Sequence, residues 1–374
     1  MLSDVGVHAS DRVAAGIEFP GRWSVFDTFG SAVGVTTVLI VALLASAVVV
    51  VRPAWRGATV STAILFVCLA SLNSRAPFAV SSAEMYLVVL SFWALVASGT
   101  KVSTSFLRML RCQVGLVYAI PLAIRFFRGG DSWLNGSAIR RVVDNQGIGR
   151  GPLADVVSHL PDFVLVVATW GVLALEVAIV VVVFAMVAVP TKVPVAIRNL
   201  TLRVGLVLHF FIALVCGLWF FSAVAGLGLA AALCLRSEAT TSRVRMAPAF
   251  VVTLCVVCWN ILSISASPAT AAGQQRNVAS FVVRGLGITQ VWGVFSPNPP
   301  RVDRWVEIVD ERGRIVVGSR RATDRIRKLA QNVIAQPIGP LAEAWLAAEC
   351  RTGAVGLVVG VEGLAPVEVL RREC

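Results

Sequence analysis

The chain has 374 residues, of which 57% are apolar and 14% charged, and its 33 Lys+Arg against 21 Asp+Glu give a formal net charge of +12. Roughly a quarter of an ordinary soluble domain is charged, so this composition excludes disordered, fibrous, disulfide-scaffold and simple cytosolic-enzyme classes. Its apolar runs are continuous and do not alternate, which excludes a transmembrane barrel.

Residues 1–30 hold Asp4, His8, Asp11, Arg12, Glu18, Arg22 and Asp27, too polar a lead for a secretory signal, so the first apolar run reads as an anchor. That run, Ser31–Val51, reaches roughly 30 Å as a helix, the thickness of a bilayer's hydrocarbon core. Arg52 and Pro53 end it. A shorter run, Ala58–Leu72, precedes the polar turn Asn73–Pro77, and a third covers Ala83–Gly99. The fourth, Ser105–Phe127, carries Arg108, Arg111, Pro121 and Arg125. A helix with those charges is expected to face protein or water, away from lipid.

A polar stretch over 128–159 reads as a loop or re-entrant element at the membrane face. Next, Phe163–Val189 is the most apolar run, interrupted by Glu176. A longer one, Leu202–Leu235, holds His209 near its start and Gly226/Gly228 where a helix could break. The last run is Ala247–Ala266. The expected architecture is thus an all-α polytopic helical bundle of about seven segments over 31–266, contacting the lipid bilayer.

From 267 to 374 no run is long enough to span, and a small α+β extramembrane domain is expected. Arg304–Val309 and Arg314–Val317 flank Asp310–Gly313 as a hairpin, Ala322–Ala335 and Pro340–Cys350 read as helices, and Gly353–Val361 as a strand. Cys350 and Cys374 are this domain's only cysteines. A disulfide is expected if the domain is extracytoplasmic, and free thiols if it is cytoplasmic. Basic residues gather in short loops, Arg52/Arg56, Arg140/Arg141 and Arg243/Arg245, as they do beside anionic head groups, so the charge is not read as nucleic-acid binding. Counted over a seven-segment arrangement, they give no orientation.

Two ionisable groups fall inside spans. Glu176 lies mid-run, where an ionised carboxylate costs at least about 2.5 kcal/mol and calls for a partner or a proton. His209 is similarly placed in the next run. Either is a candidate for moving protons, or for holding a quinol-like ligand, against the plainer reading of an interhelical contact. Arg108, Arg111 and Arg125 are candidates to line a pocket for an anion, against snorkelling to the interface. Cys255 and Cys258 have redox-motif spacing but sit in an apolar run, where packing is the expected role. The three histidines are too scattered to define a metal site.

Several stretches together resemble the HTTM (horizontally transferred transmembrane) family, the membrane domain shared by vitamin-K-dependent γ-carboxylase and many bacterial proteins. Asn73–Ser74–Arg75 before Tyr86, Phe92 and Trp93 resembles the family's asparagine-arginine turn. Tyr118–Arg125, then Gly130–Ala138 with Trp133, Leu134 and Gly136, resembles its tyrosine-led helix and Trp-Leu-x-Gly-x-Ala loop. Glu176, His209 and the group Gly217, Leu218 and Phe220 follow in the expected order. Trp292–Pro299 resembles the entry to the extramembrane domain.

The resemblance implies a bacterial cytoplasmic-membrane protein with an intramembrane pocket near Tyr118, Arg125, Trp133, Glu176 and His209, and with Arg111 on the same helix. It also implies a quinol-like cofactor, or a peptide side chain, on which Glu176 or His209 moves protons while Arg125 fixes an anion. In the carboxylase a membrane lysine acts as base. Here that position falls at Arg125, and the lysines, Lys101, Lys192 and Lys328, all lie outside the apolar runs. A guanidinium is not a base at neutral pH, which argues against carboxylation by that route. The alternative expectation is a non-catalytic factor for maturation or export of a secreted peptide.

Overall fold

The computed structural model describes residues 32–51, 57–75, 82–97, 104–127, 129–145, 148–189, 192–236, 299, 304–318, 329–330, 333–334, 340–350, 354–361 and 363–374. The polar N-terminal segment, the run Ala247–Ala266, Cys255 and Cys258, and the Trp292 motif up to Pro297 lie outside the described residues.

Apolar runs become helices: α1 (Ala32–Val51), α2 (Ala58–Arg75), α3 (Ser82–Ala97), α4 (Thr104–Phe127), α8 (Asp162–Ala188), α9 (Val195–Cys216) and α10 (Trp219–Cys234). Of these, α4, α8 and α9 are long and apolar enough to cross a membrane, while α1, α2, α3 and α10 contribute shorter apolar stretches. The chain divides into two compact units, residues 1–84 with 302–374, and residues 85–301. In the first, α1 packs on α2 through Val38, Ala42, Cys68 and Leu72. The asparagine-arginine turn is not a turn: α2 continues through Asn73 to Arg75.

In the second unit α4 packs along α8, and α9 along α10. Arginines on α4 fit its burial, since 61% of its apolar window is buried against 22% for α8 and 39% for α9. Such a helix is surrounded by protein, where a guanidinium finds carbonyls or carboxylates. Arg108, by contrast, is exposed.

The long run 202–235 does break, but at Gly217 and not at Gly226/Gly228. Gly217 follows the end of α9 with φ +70, a left-handed conformation, and its N–H bonds the Ala213 carbonyl at 2.9 Å. Glycine adopts that conformation without the strain a Cβ imposes, so it terminates helices. Gly228 serves a different purpose inside α10. A Cβ there would lie 2.1 Å from the Tyr86 hydroxyl, so glycine lets α3 and α10 come into contact.

Residues 128–159, expected as a loop or re-entrant element, contain three short helices: α5 (Asp131–Leu134), α6 (Ala138–Asp144) and α7 (Ala154–Ser158). Ile139, Val142, Val143 and Val157 pack with Leu165 of α8 and with Val215 and Cys216 of α9. The polar faces hid this apolar side from a reading by composition.

The C-terminal region forms a four-stranded antiparallel sheet, β1 (Arg304–Asp310), β2 (Ile315–Gly318), β3 (Ala354–Val361) and β4 (Val367–Glu373), in the order β2-β1-β3-β4, with helix α11 (Pro340–Glu349). Val306, Ile308, Val355 and Leu357 alternate onto the face that meets Ala342, Trp345 and Leu346 of α11. The hairpin forms as expected: Asp310 Oδ1 accepts the N–H groups of Arg312 and Arg314 at 2.9 Å each, and Gly313 turns the chain with φ +73. A disulfide, Cys350–Cys374, joins the residue after α11 to the residue after β4 with Cα atoms 5.4 Å apart. Edge strand β4 was not foreseen; its Glu368 and Arg371 form an exposed ion pair, and a charged edge reads as loop in a pattern search.

Candidate functional site

Helix α4 supplies two of the groups. Tyr118 and Arg125 are seven positions apart, about two helical turns, and so share a face. Pro121 between them has no N–H to donate to the Val117 carbonyl, so the helix lacks one backbone hydrogen bond beside the cavity. Glu176 comes from the middle of α8, His209 from α9, Trp133 from α5 and Phe221 from α10. All of these, with Pro121, line one cavity of about 90 Å3, several times the roughly 10–15 Å3 that one water requires. The remaining wall is mostly aliphatic, including Val117, Val142, Val172 and Leu208.

Two polar pairs face each other in this apolar setting. The Arg125 guanidinium donates to Glu176 Oε2 in an ion pair whose arginine is 4% exposed, and the guanidinium carbon lies 3.9 Å from the Trp133 ring centroid. The carboxylate supplies the counter-charge and the indole face a cation–π contact. Tyr118 Oη and His209 Nε2 are 2.7 Å apart and share a hydrogen bond whose donor is set by the imidazole tautomer. The His209 ring also meets the rings of Tyr118 and Phe221 edge-on, with centroids 5.9 and 6.0 Å away. Its Nδ1 is buried and has no hydrogen-bond partner among the described residues.

The short helices close the chamber at one end. Ile139 N–H donates to Thr169 Oγ1 at 3.2 Å, and Trp170 Nε1 to the Leu134 carbonyl at 3.1 Å. Arg140 donates to Asp162 Oδ1 and to the Ser158 and Leu160 carbonyls. On the α9 side, Gly151 and Leu153 N–H donate to the Val215 and Leu214 carbonyls at 2.9 and 3.0 Å. Those carbonyls, at a helix C-terminus, lack intrahelical partners, and the loop amides satisfy them.

Five of the six expected site residues, Tyr118, Arg125, Trp133, Glu176 and His209, therefore converge. Arg111 does not. It shares the Tyr118–Arg125 stripe, but its Nε and Nη2 donate to the Ala232 and Leu235 carbonyls at 2.9 and 3.2 Å, capping the end of α10. Arg125 lines the cavity already paired, through Nη1, with Glu176. Sequence reasoning missed Pro121 and Phe221. Pro121 carried a signal, a helix breaker three residues after the tyrosine; Phe221 carried none, because α10 was read as part of α9. Among the described residues, no group of three or more His, Cys, Asp or Glu is placed to hold a metal ion.

No protein-family model matches the chain, and no curated protein or solved structure shows detectable similarity to it.

Proposed function

We propose that this is a multi-span bacterial cytoplasmic-membrane protein of about seven segments, related to the HTTM family, whose chamber binds a lipid-soluble phenolic or quinol-like molecule and exchanges a proton with it. The single observation that carries this reading is the Tyr118–His209 hydrogen bond inside an apolar chamber, with His209 Nδ1 left without a partner among the described residues. An imidazole whose Nε2–H donates to the phenol oxygen keeps Nδ1 as an acceptor for a ligand's hydroxyl proton, and in the other tautomer Nδ1–H donates to the ligand. Arg125 stands where the resemblance places a basic lysine, and a guanidinium does not give up its proton. Proton movement is therefore assigned to His209 and Tyr118, with Glu176 and Arg125 holding fixed opposite charges beside the ligand's polar end. Aliphatic walls suit an aromatic head and an isoprenoid tail.

The test is titration of a short-tail quinol into the protein in nanodiscs, followed by quenching of tryptophan fluorescence and by quinol-dependent oxygen uptake. Saturable quenching that weakens about tenfold in His209→Ala supports the reading; no saturable quenching in the intact protein refutes it. In that event the second reading gains, a non-catalytic factor for maturation or export of a secreted peptide. The Cys350–Cys374 disulfide favours it to the extent that such a bond belongs to an oxidising compartment, where a secreted peptide would be met. Thiol labelling on intact cells checks that placement: both cysteines label from outside only after reduction.

A further inference from the structure

The two ends of the unit containing α4 and α8–α10 differ in charge. The end bearing α5–α7 carries Asp131, Asp144, Asp155 and Asp162 against Arg140, Arg141 and Arg150, with Arg140 paired to Asp144 and Asp162. At the other end α4 and α9 begin and α8 and α10 finish. Arg111 fixes that alignment by reaching Ala232 and Leu235, and the contact of Gly205 with Leu229 fixes α9 against α10. Arg198 and Leu235 each lie about two turns from that contact, toward the same end.

This end carries Arg108, Lys192, Arg198 and Arg236 together with the buried Arg111, and no Asp or Glu among the described residues of these helix ends. Arg198 has no ion-pair partner among the described residues, and its Nε is buried without a hydrogen bond. Two neighbouring guanidiniums at the edge of a low-dielectric layer repel each other unless an anion lies between them. The first turn of α9 adds its free amides and positive dipole end. Beside Arg198, Val195, Ile197 and Leu200 are 50%, 44% and 63% exposed. That apolar skirt has no use for inorganic phosphate and suits acyl chains.

We infer that Arg111 and Arg198, flanked by Lys192 and Arg236, bind the phosphate of an anionic phospholipid whose acyl chains lie along the start of α9. The inference rests on the membrane-spanning reading but not on the chamber or its ligand. The Arg198 side chain makes no ion pair among the described residues, so Arg198→Gln is the informative variant, and Arg203→Gln, an exposed arginine on the same helix, is the control.

The experiment is native mass spectrometry of the full chain released from detergent with phosphatidylglycerol and phosphatidylcholine in equal amounts. The expected result is preferential retention of phosphatidylglycerol, reduced about fivefold in Arg198→Gln, as roughly 1 kcal/mol per basic contact implies, and unchanged in Arg203→Gln. Equal retention of the two lipids overturns the inference, as does equal loss in both variants or displacement of the lipid by inorganic phosphate. A protein that needs detergent for extraction yet retains no anionic lipid overturns this inference alone; one that is soluble without detergent overturns the membrane reading beneath it.

Discussion

Tyr118 and His209 are 91 positions apart in the chain, yet Tyr118 Oη and His209 Nε2 are 2.7 Å apart between α4 and α9. Tyr118→Phe removes the hydroxyl and leaves a buried ring nitrogen unsatisfied, which costs about 1–3 kcal/mol. The expected outcome is a lower unfolding temperature in detergent together with weaker quinol quenching. A variant with wild-type stability and wild-type quenching would mean that the pair neither braces the helices nor meets a ligand.

The Arg125–Glu176 pair is mutually dependent. Glu176→Gln leaves a buried guanidinium without its counter-charge, a loss of about 3–5 kcal/mol, whereas replacing both partners by apolar residues of similar size is often close to neutral. The double variant Arg125→Met, Glu176→Leu is therefore expected to be more stable than Glu176→Gln alone. Thermal unfolding of wild type, Glu176→Gln and the double variant in one detergent checks this order, and a double variant no more stable than Glu176→Gln would refute it.

Gly228→Ala puts a methyl 2.1 Å from the Tyr86 hydroxyl, on a ring buried between α3 and α10. Overpacking of this kind costs about 1–3 kcal/mol. Gly171→Ala, on α8 where a Cβ meets nothing within 4 Å, is the matched control. It should be neutral or slightly stabilising, since alanine is the better helix former.

In the C-terminal hairpin the Asp310 carboxyl is held below its ordinary value of 3.8, first by the Arg314 N–H, then by the Arg314 side chain and the Arg312 N–H. A depressed folded value means that the carboxylate's contribution is present above 3.8 and is lost as pH falls through the folded value. The Arg312 and Arg314 amide resonances are expected to hold steady down to that range, then move together with a midpoint below 3.8. In Asp310→Asn that step should vanish.

Much of this molecule is legible in the chain and some is not, for identifiable reasons. The boundaries of α4, α8 and the hairpin follow from local signals: apolar length, and the Asp310–Gly313 turn. Glu176 and His209 stand out because charge is costly inside a span. Arg111 was misplaced because helical periodicity gives a side chain's face and not the neighbour it meets; the carbonyls at the end of α10 are visible only after folding. The break at Gly217 was missed for a related reason. Gly217, Gly226 and Gly228 are alike in a sequence, and only the packing of α3 reveals which of them separates helices and which admits a neighbouring ring.

The short helices over the chamber are fastened on both sides, to α8 through Thr169, Trp170 and Asp162, and to α9 through Leu214 and Val215. On the proposed reading, a roof so secured predicts that the ligand enters from the bilayer between helices and not through water. The occupant is then selected twice, first by how readily it dissolves in hydrocarbon and only afterwards by the fit of its polar head. Apparent affinity should accordingly follow the ligand's mole fraction in lipid, so that doubling the bilayer at a fixed total amount of ligand halves occupancy at low saturation.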